Sequence, residues 1–177
     1  MPETVIMPYC EVDGIRTFKD SEVMEMYSKI ERDGLKDIVF SSGDINSPEE
    51  FLKEMNRPGA ALLYVVYHGD LQIGIIWLTH FEGRSCRVHF TTFSEAWKMD
   101  VAAMGRSSSQ QIINMRSSSG EYVFDVLLGL VPSFNVRAIR ALEKAGLQHV
   151  GEIPHGMWNA KERKTVPATL MCLTREV

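Results

Sequence analysis

A few residues of this 177-residue sequence have side chains placed to do chemistry. His89 stands in an alternating run, Cys86 to Thr92, with Thr91 and Phe93 on its side of the chain, and could take a proton from an amine near neutral pH. The alternative is a histidine satisfied in a core or at a surface. Glu95, just beyond that run, is a second candidate base; the alternative is a carboxylate that favours the positive end of a helix. Ser94 lacks a Gly-x-Ser-x-Gly setting, which argues for a helix cap over a nucleophile. Asn135 heads an amphipathic stretch, NVRAIRALEKAG, where it could cap the helix or hold a ligand. Trp77, Trp97 and Trp158 could line an acceptor pocket, although aromatic residues in sheet positions also build cores.

Other chemistries lack their residues. Cys10, Cys86 and Cys172 are widely spaced and odd in number, without a CxxC or paired Cys/His spacing, which implies reduced thiols and no zinc site. The first residues lack a basic start and a long apolar core, so no secretory signal is expected and the cytoplasm is the expected compartment. With 45% hydrophobic and 24% charged residues and no apolar run near membrane-spanning length, the expectation is a soluble globular chain, one domain over residues 1–177. A net charge of −4 argues against broad nucleic-acid binding. The charge is uneven, however: Arg84 to Lys144 carries eight basic and five acidic residues, leaving the remainder at −7. Such a basic segment could receive a phosphorylated ligand or simply be a solvated helix face.

The elements that must position these residues follow from periodicity. Val5 to Tyr9 reads as a strand, and DSEVMEMYSKIERDG as a helix capped by Asp20 or Ser21, with Val23, Met24, Tyr27 and Ile30 inward. Ser47 caps a second helix with Pro48 at its first position. Three apolar runs, Ala61 to Tyr67, Leu71 to His80 and Cys86 to Thr92, are separated by two turn signals and form an antiparallel meander. A helix lies somewhere in SEAWKMDVAAMGRSSSQQIINMRSSSG, with Ser94 as its candidate cap. Tyr122 to Val131 reads as a strand buried on both faces. The helix at Asn135 stops at Gly146, and two strands close the chain around NAKERK. The order is β α α β β β α β α β β.

That order, with Asn135, Ala138, Gly146 and Leu147 at their spacing, resembles the GNAT superfamily of acyl-CoA N-acyltransferases. The resemblance implies an α/β (α+β) fold: a mixed, mostly antiparallel sheet of about seven strands, splayed between the fourth and fifth. Acetyl-CoA would be the cosubstrate, without a metal, its pantetheine arm lying in the splay as an extra strand would. It further implies cofactor contacts at Phe90, Thr91, Thr92, Gly105, Arg106, Ser107, Asn135 and Arg140, and an amine acceptor, small molecule or protein, attacking the thioester directly. A homodimer is compatible with the family. The combination also resembles divergent GNAT-like proteins of phages and prophages.

Two departures stand out. The family's Arg/Gln-x-x-Gly-x-Gly/Ala segment, which offers backbone N–H groups to a pyrophosphate, is matched here by DVAAMG: Asp100 replaces the basic or amide residue, Ala103 the first glycine, and only Gly105 fits. Either Arg106 and Lys98 then carry the charge, or CoA binding is weak or absent; the alternative is an ordinary helix start packing Val101 and Met104. Where many members have a thiolate-protonating tyrosine, seven residues after the asparagine, stands Leu142. These losses also fit a catalytically degenerate GNAT-shaped binding or structural module, for example a phage protein engaging a host or virion partner.

Overall fold

A computed structural model of the chain describes residues 3–175. Strand β1, Thr4–Pro8, is followed by a small hairpin of β2, Glu11–Val12, and β3, Ile15–Arg16, around the glycine turn at Gly14. Helix α1, Asp20–Arg32, buries Val23, Met26, Tyr27 and Ile30, an i, i+3, i+4, i+7 stripe. Met26, not Met24, completes that stripe. The expected cap at Asp20 or Ser21 is also corrected: Lys19 is the N-cap, and its backbone N–H donates to the Glu22 carboxylate at 2.7 Å. A short α2, Lys36–Val39, precedes α3, Pro48–Met55, where Ser47 Oγ accepts the Glu50 N–H at 3.2 Å as its sequence foretells.

The meander comprises β4, Ala61–His68, β5, Leu71–Glu82, and β6, Ser85–Thr92, within two residues of the expected bounds. A single 3-10 turn at Ser94–Ala96 leads to α4, Val101–Ile113. Ser94 therefore does not cap the helix; Asp100 does, its Oδ1 accepting the Ala103 N–H at 3.1 Å. Strand β7 covers Val126–Pro132, shorter than the expected strand from Tyr122. Tyr122 lies outside the sheet: its segment pairs with residues 115–117, Val123 N–H donating to Met115 O at 2.9 Å, and its ring packs against the guanidinium groups of Arg116 and Arg175, 3.9 and 4.0 Å from the centroid. Helix α5, Val136–Lys144, ends in a Schellman motif: the Gly146 N–H donates to Glu143 and the Leu147 N–H to Leu142, both at 3.0 Å, with Gly146 at φ +101°. Strands β8, Gln148–Asn159, and β9, Lys164–Thr174, complete the chain.

Seven strands form one sheet in the order β1-β4-β5-β6-β7-β9-β8, antiparallel except for β6 beside β7. One face packs Leu63, Val65, Ile75, Trp77 and Phe93 against α1 and α3. The other buries Tyr64, Ile76, Leu78 and Leu127 under α4 through Met104 and Ile112. A smaller third cluster, Val131, Leu142, Ala145, Leu147 and Met171, lies under α5. It is separate because β6 and β7 part company, which is the feature that makes the site. Among the described residues no helix is long and apolar enough to cross a membrane.

Candidate active site

Strands β6 and β7 pair over three positions only, Ser85–Val126, Cys86–Leu127 and Arg87–Leu128, and then diverge. Strand residues alternate the direction of their main-chain groups. Phe93 N–H bonds Ile73 O on β5, whereas Val126 N–H bonds the O of Arg84, the residue just ahead of β6, which fixes the parity of both strands. It follows that the N–H and C=O of Phe90 face the gap from β6 and those of Leu130 face it from β7, beyond the last ladder pair. The Thr92 carbonyl on the same side is taken by the Trp97 indole N–H at 3.3 Å. Buried main-chain groups normally find partners, so the gap is a place for a polar chain to bond.

An open cavity of about 780 Å³ passes through this gap from one face of the sheet to the other. Its wall on the α4/α5 side is made of small residues, Ala102, Gly105 and Ser109 facing Ala138, Ala141 and Ala145. Gly105 sits inside α4, where a Cβ would lie 3.4 Å from that of Ala145, so it serves the close approach of the two helices and not a loop. Arg137, Arg140 and Lys144 also line the cavity. Their i, i+3, i+7 spacing puts them on one face of α5, a cationic stripe beside the mouth, with Arg137 lying over Trp97, 5.6 Å from its ring centroid. The sequence places them on one face of the expected helix; the structure turns that face to the cavity.

Asn135 is both cap and wall. Its Oδ1 accepts the Ala138 N–H at 3.2 Å, while its Nδ2 makes no hydrogen bond among the described residues and borders the cavity. Phe90, Thr91, Thr92, Gly105 and Arg140 border it as well. Arg106 and Ser107 do not: Arg106 donates through Nε and Nη2 to the Lys144 carbonyl, both at 3.2 Å, and Ser107 Oγ accepts from Gln111, which in turn ties α4 to Thr4 of β1. Leu142, at the position of the family's tyrosine, is 3% exposed and packs over Gly129 and Leu147.

On the opposite side of the sheet His89 stacks on Trp77, ring centroids 5.0 Å apart, and its Nε2 shares a hydrogen bond with Thr79 Oγ1 at 2.8 Å. Burial, reinforced by His80 and Arg87, pushes its pKa down to about 4, so the ring is neutral at physiological pH. Glu95 is not brought to His89. Its carboxylate pairs with Arg32 at 3.0 Å, and its own backbone N–H and that guanidinium hold its pKa below the usual carboxylate range. Ser94 belongs to the same junction, its N–H donating to Asp33 at 2.7 Å and its Oγ accepting from Arg32 at 3.1 Å. Trp77 and Trp97 reach the cavity; Trp158, 49% exposed on the edge strand β8, does not.

Known structures share this architecture. A spermidine N-acetyltransferase from Vibrio cholerae in complex with CoA and spermine superposes with a TM-score of 0.71 at 11% identity over 97% of this chain and 95% of its own. An acetyltransferase from Salmonella typhimurium that modifies the N-terminal serine of ribosomal protein L7/L12 gives 0.73 at 10% identity over 98% and 95%. The microcin C7 self-immunity acetyltransferase MccE, in complex with acetyl-CoA and AMP, gives 0.69 at 9% identity over 89% of each chain. No protein-family model matches the sequence, and no curated protein sequence matches it. The chain therefore has the GNAT fold, with the splay between its two parallel strands that the resemblance implied.

Proposed function

We propose that the protein is a cytoplasmic acyl-CoA-dependent N-acetyltransferase. The observation that carries this reading is the pair of unpaired main-chain edges, Phe90 on β6 and Leu130 on β7, facing each other across a cavity open at both faces of the sheet. A pantetheine arm has amides that can bond those edges, with the Asn135 Nδ2 as a further donor. The cationic stripe on α5 suits the phosphates at the α4/α5 mouth, where the Ala102 N–H is the first-turn donor that Asp100 leaves free.

The thioester carbonyl would then lie by the Phe90 N–H, which stabilises negative charge on its oxygen as an acceptor nitrogen attacks. The new C–N bond forms, the C–S bond breaks, the nitrogen gives up its surplus proton to solvent, and the departing thiolate takes one from solvent, because Leu142 has none to give. His89 lies on the other face, on the acceptor's side, as a neutral hydrogen-bonding group. A purely structural descendant would have no need of an open cleft, and nothing in the geometry favours that rival. Ligand-induced stabilisation tests the reading: CoA at 100 times its dissociation constant adds about 2.7 kcal/mol. An unchanged melting temperature at millimolar acetyl-CoA would overturn it.

A further inference from the structure

The two mouths of the cavity differ in charge. The α4/α5 mouth carries Arg137, Arg140 and Lys144, with Asp100 as its one carboxylate. The other is walled by Leu35, Ile38, Val39, Trp77, His89 and Met157, with no charged side chain among the lining residues. The carboxylates nearest in sequence are spent elsewhere: Asp33 on the Ser94 N–H and Arg32, Asp37 on Lys161 at 3.1 Å, and Glu95 on Arg32. Asp44, on the loop beyond α2, is exposed and off the cavity.

Resting on the acyltransferase reading, we propose that the acceptor is a weakly basic primary amine on an apolar body, such as the α-amino group of an apolar peptide or an aromatic amine. A polyamine or a lysine side chain does not fit this mouth. Each further ammonium of a polyamine would shed water against apolar walls with no counter-charge, which is unfavourable. Proton removal points the same way. Only the free amine attacks, and the nearest candidate base, His89, has its Nε2 engaged with Thr79 and too little basicity to hold an ammonium proton. At pH 7.5 roughly a third of α-amino groups are already neutral, against about one in a thousand lysine side chains. The apolar walls reward an apolar body through the surface they remove from water.

The test is thiol release from acetyl-CoA at pH 7.5 with phenylalanine amide, p-toluidine, Nα-acetyl-lysine amide and spermidine, after calorimetry has established acetyl-CoA binding. The expected result is a kcat/KM for phenylalanine amide or p-toluidine at least about tenfold above both others, and the two apolar arms separate a peptide-type from an aromatic amine. A preference for spermidine or the lysine derivative, or no turnover of either apolar amine while acetyl-CoA is bound, overturns this inference. Failure of acetyl-CoA to bind overturns the acyltransferase reading itself. Ile38 is 46% exposed, so Ile38→Glu should leave the fold intact. It should raise the spermidine to phenylalanine amide ratio about threefold over Ile38→Gln. An unchanged ratio would show that this mouth does not receive the acceptor.

Discussion

Asp100 Oδ1 accepts the Ala103 N–H at 3.1 Å, so α4 begins with an anion already seated on its first turn. Asp100→Asn keeps the cap, since the two side chains cap about equally well, and removes the charge. CoA affinity should rise about threefold and the gain should shrink as salt shortens the Debye length. Stability should change by less than about 0.5 kcal/mol. Calorimetry at low and high salt, with a denaturation curve, checks both. A gain indifferent to salt would count against the electrostatic account.

Asn135 holds Ala138 with its oxygen and the cavity with its nitrogen. Asn135→Ala should lower stability by about 1 kcal/mol through the lost cap, and weaken CoA binding by about 1 kcal/mol through the lost donor. Asn135→Asp separates the two, preserving the fold and losing affinity. Equal affinities in Asn135→Asp and the parent would leave the residue a cap alone.

Two glycines allow close packing of the strands that flank the cleft. At Gly129 a Cβ would meet Leu142 Cδ1 at 2.9 Å and Leu147 Cδ2 at 3.3 Å, ends of side chains that can give a little. Gly129→Ala should therefore cost about 1–3 kcal/mol, partly recovered by Leu142→Val. At Gly74 a Cβ would lie 2.3 Å from the Thr91 backbone oxygen, which cannot yield without bending β6. Gly74→Ala should be the worse of the two, and Leu142→Val should not rescue it. Urea midpoints of the two single and two double variants decide the order.

The neutral His89 makes stability depend on pH. Its folded pKa of about 4 lies below the ordinary value of 6.5, so the unfolded chain binds the proton first. The contribution is intact above pH 6.5 and is lost as pH falls toward 4, amounting to about 2 kcal/mol between pH 7 and 5. His89→Gln should flatten the fall in stability over that interval. A parallel curve would mean that the proton is not excluded from the folded ring.

What could be read from the sequence was whatever local spacing encodes. The Asn135 helix, its Gly146 stop and the three-strand meander depend on periodicity and turn chemistry within a few residues, and they stand as expected. Residues whose position is settled by distant partners were misplaced. Ser94 reads as a helix cap until Asp33 and Arg32, some sixty positions earlier, are seen to occupy it. Tyr122 looks like strand until two arginines from separate segments enclose it. Arg106 also binds the Lys144 carbonyl at the end of α5, a contact that local spacing does not encode. The stripe of Arg137, Arg140 and Lys144 follows from i, i+3, i+7 spacing on the expected helix, but that this face borders the cavity depends on how the helix packs and lies outside local spacing.

The three rungs between β6 and β7 divide the sheet into two blocks, β1-β4-β5-β6 and β7-β9-β8, joined also by the meeting of α4 and α5, the Arg106 clasp on Lys144, the Arg84–Asp125 pair and the Asp37–Lys161 and Ser41–Ala160 contacts at the β8/β9 turn. A seam that short is where partial opening costs least, so amide hydrogen exchange in β7 should outpace that in β5, which is paired along both edges. A cosubstrate that bonds Phe90 on one side and Leu130 on the other would act as a stitch across the seam, slowing exchange in both blocks together. Resistance to proteolysis would then track the supply of that cosubstrate, and a starved cell would clear the protein faster than a fed one.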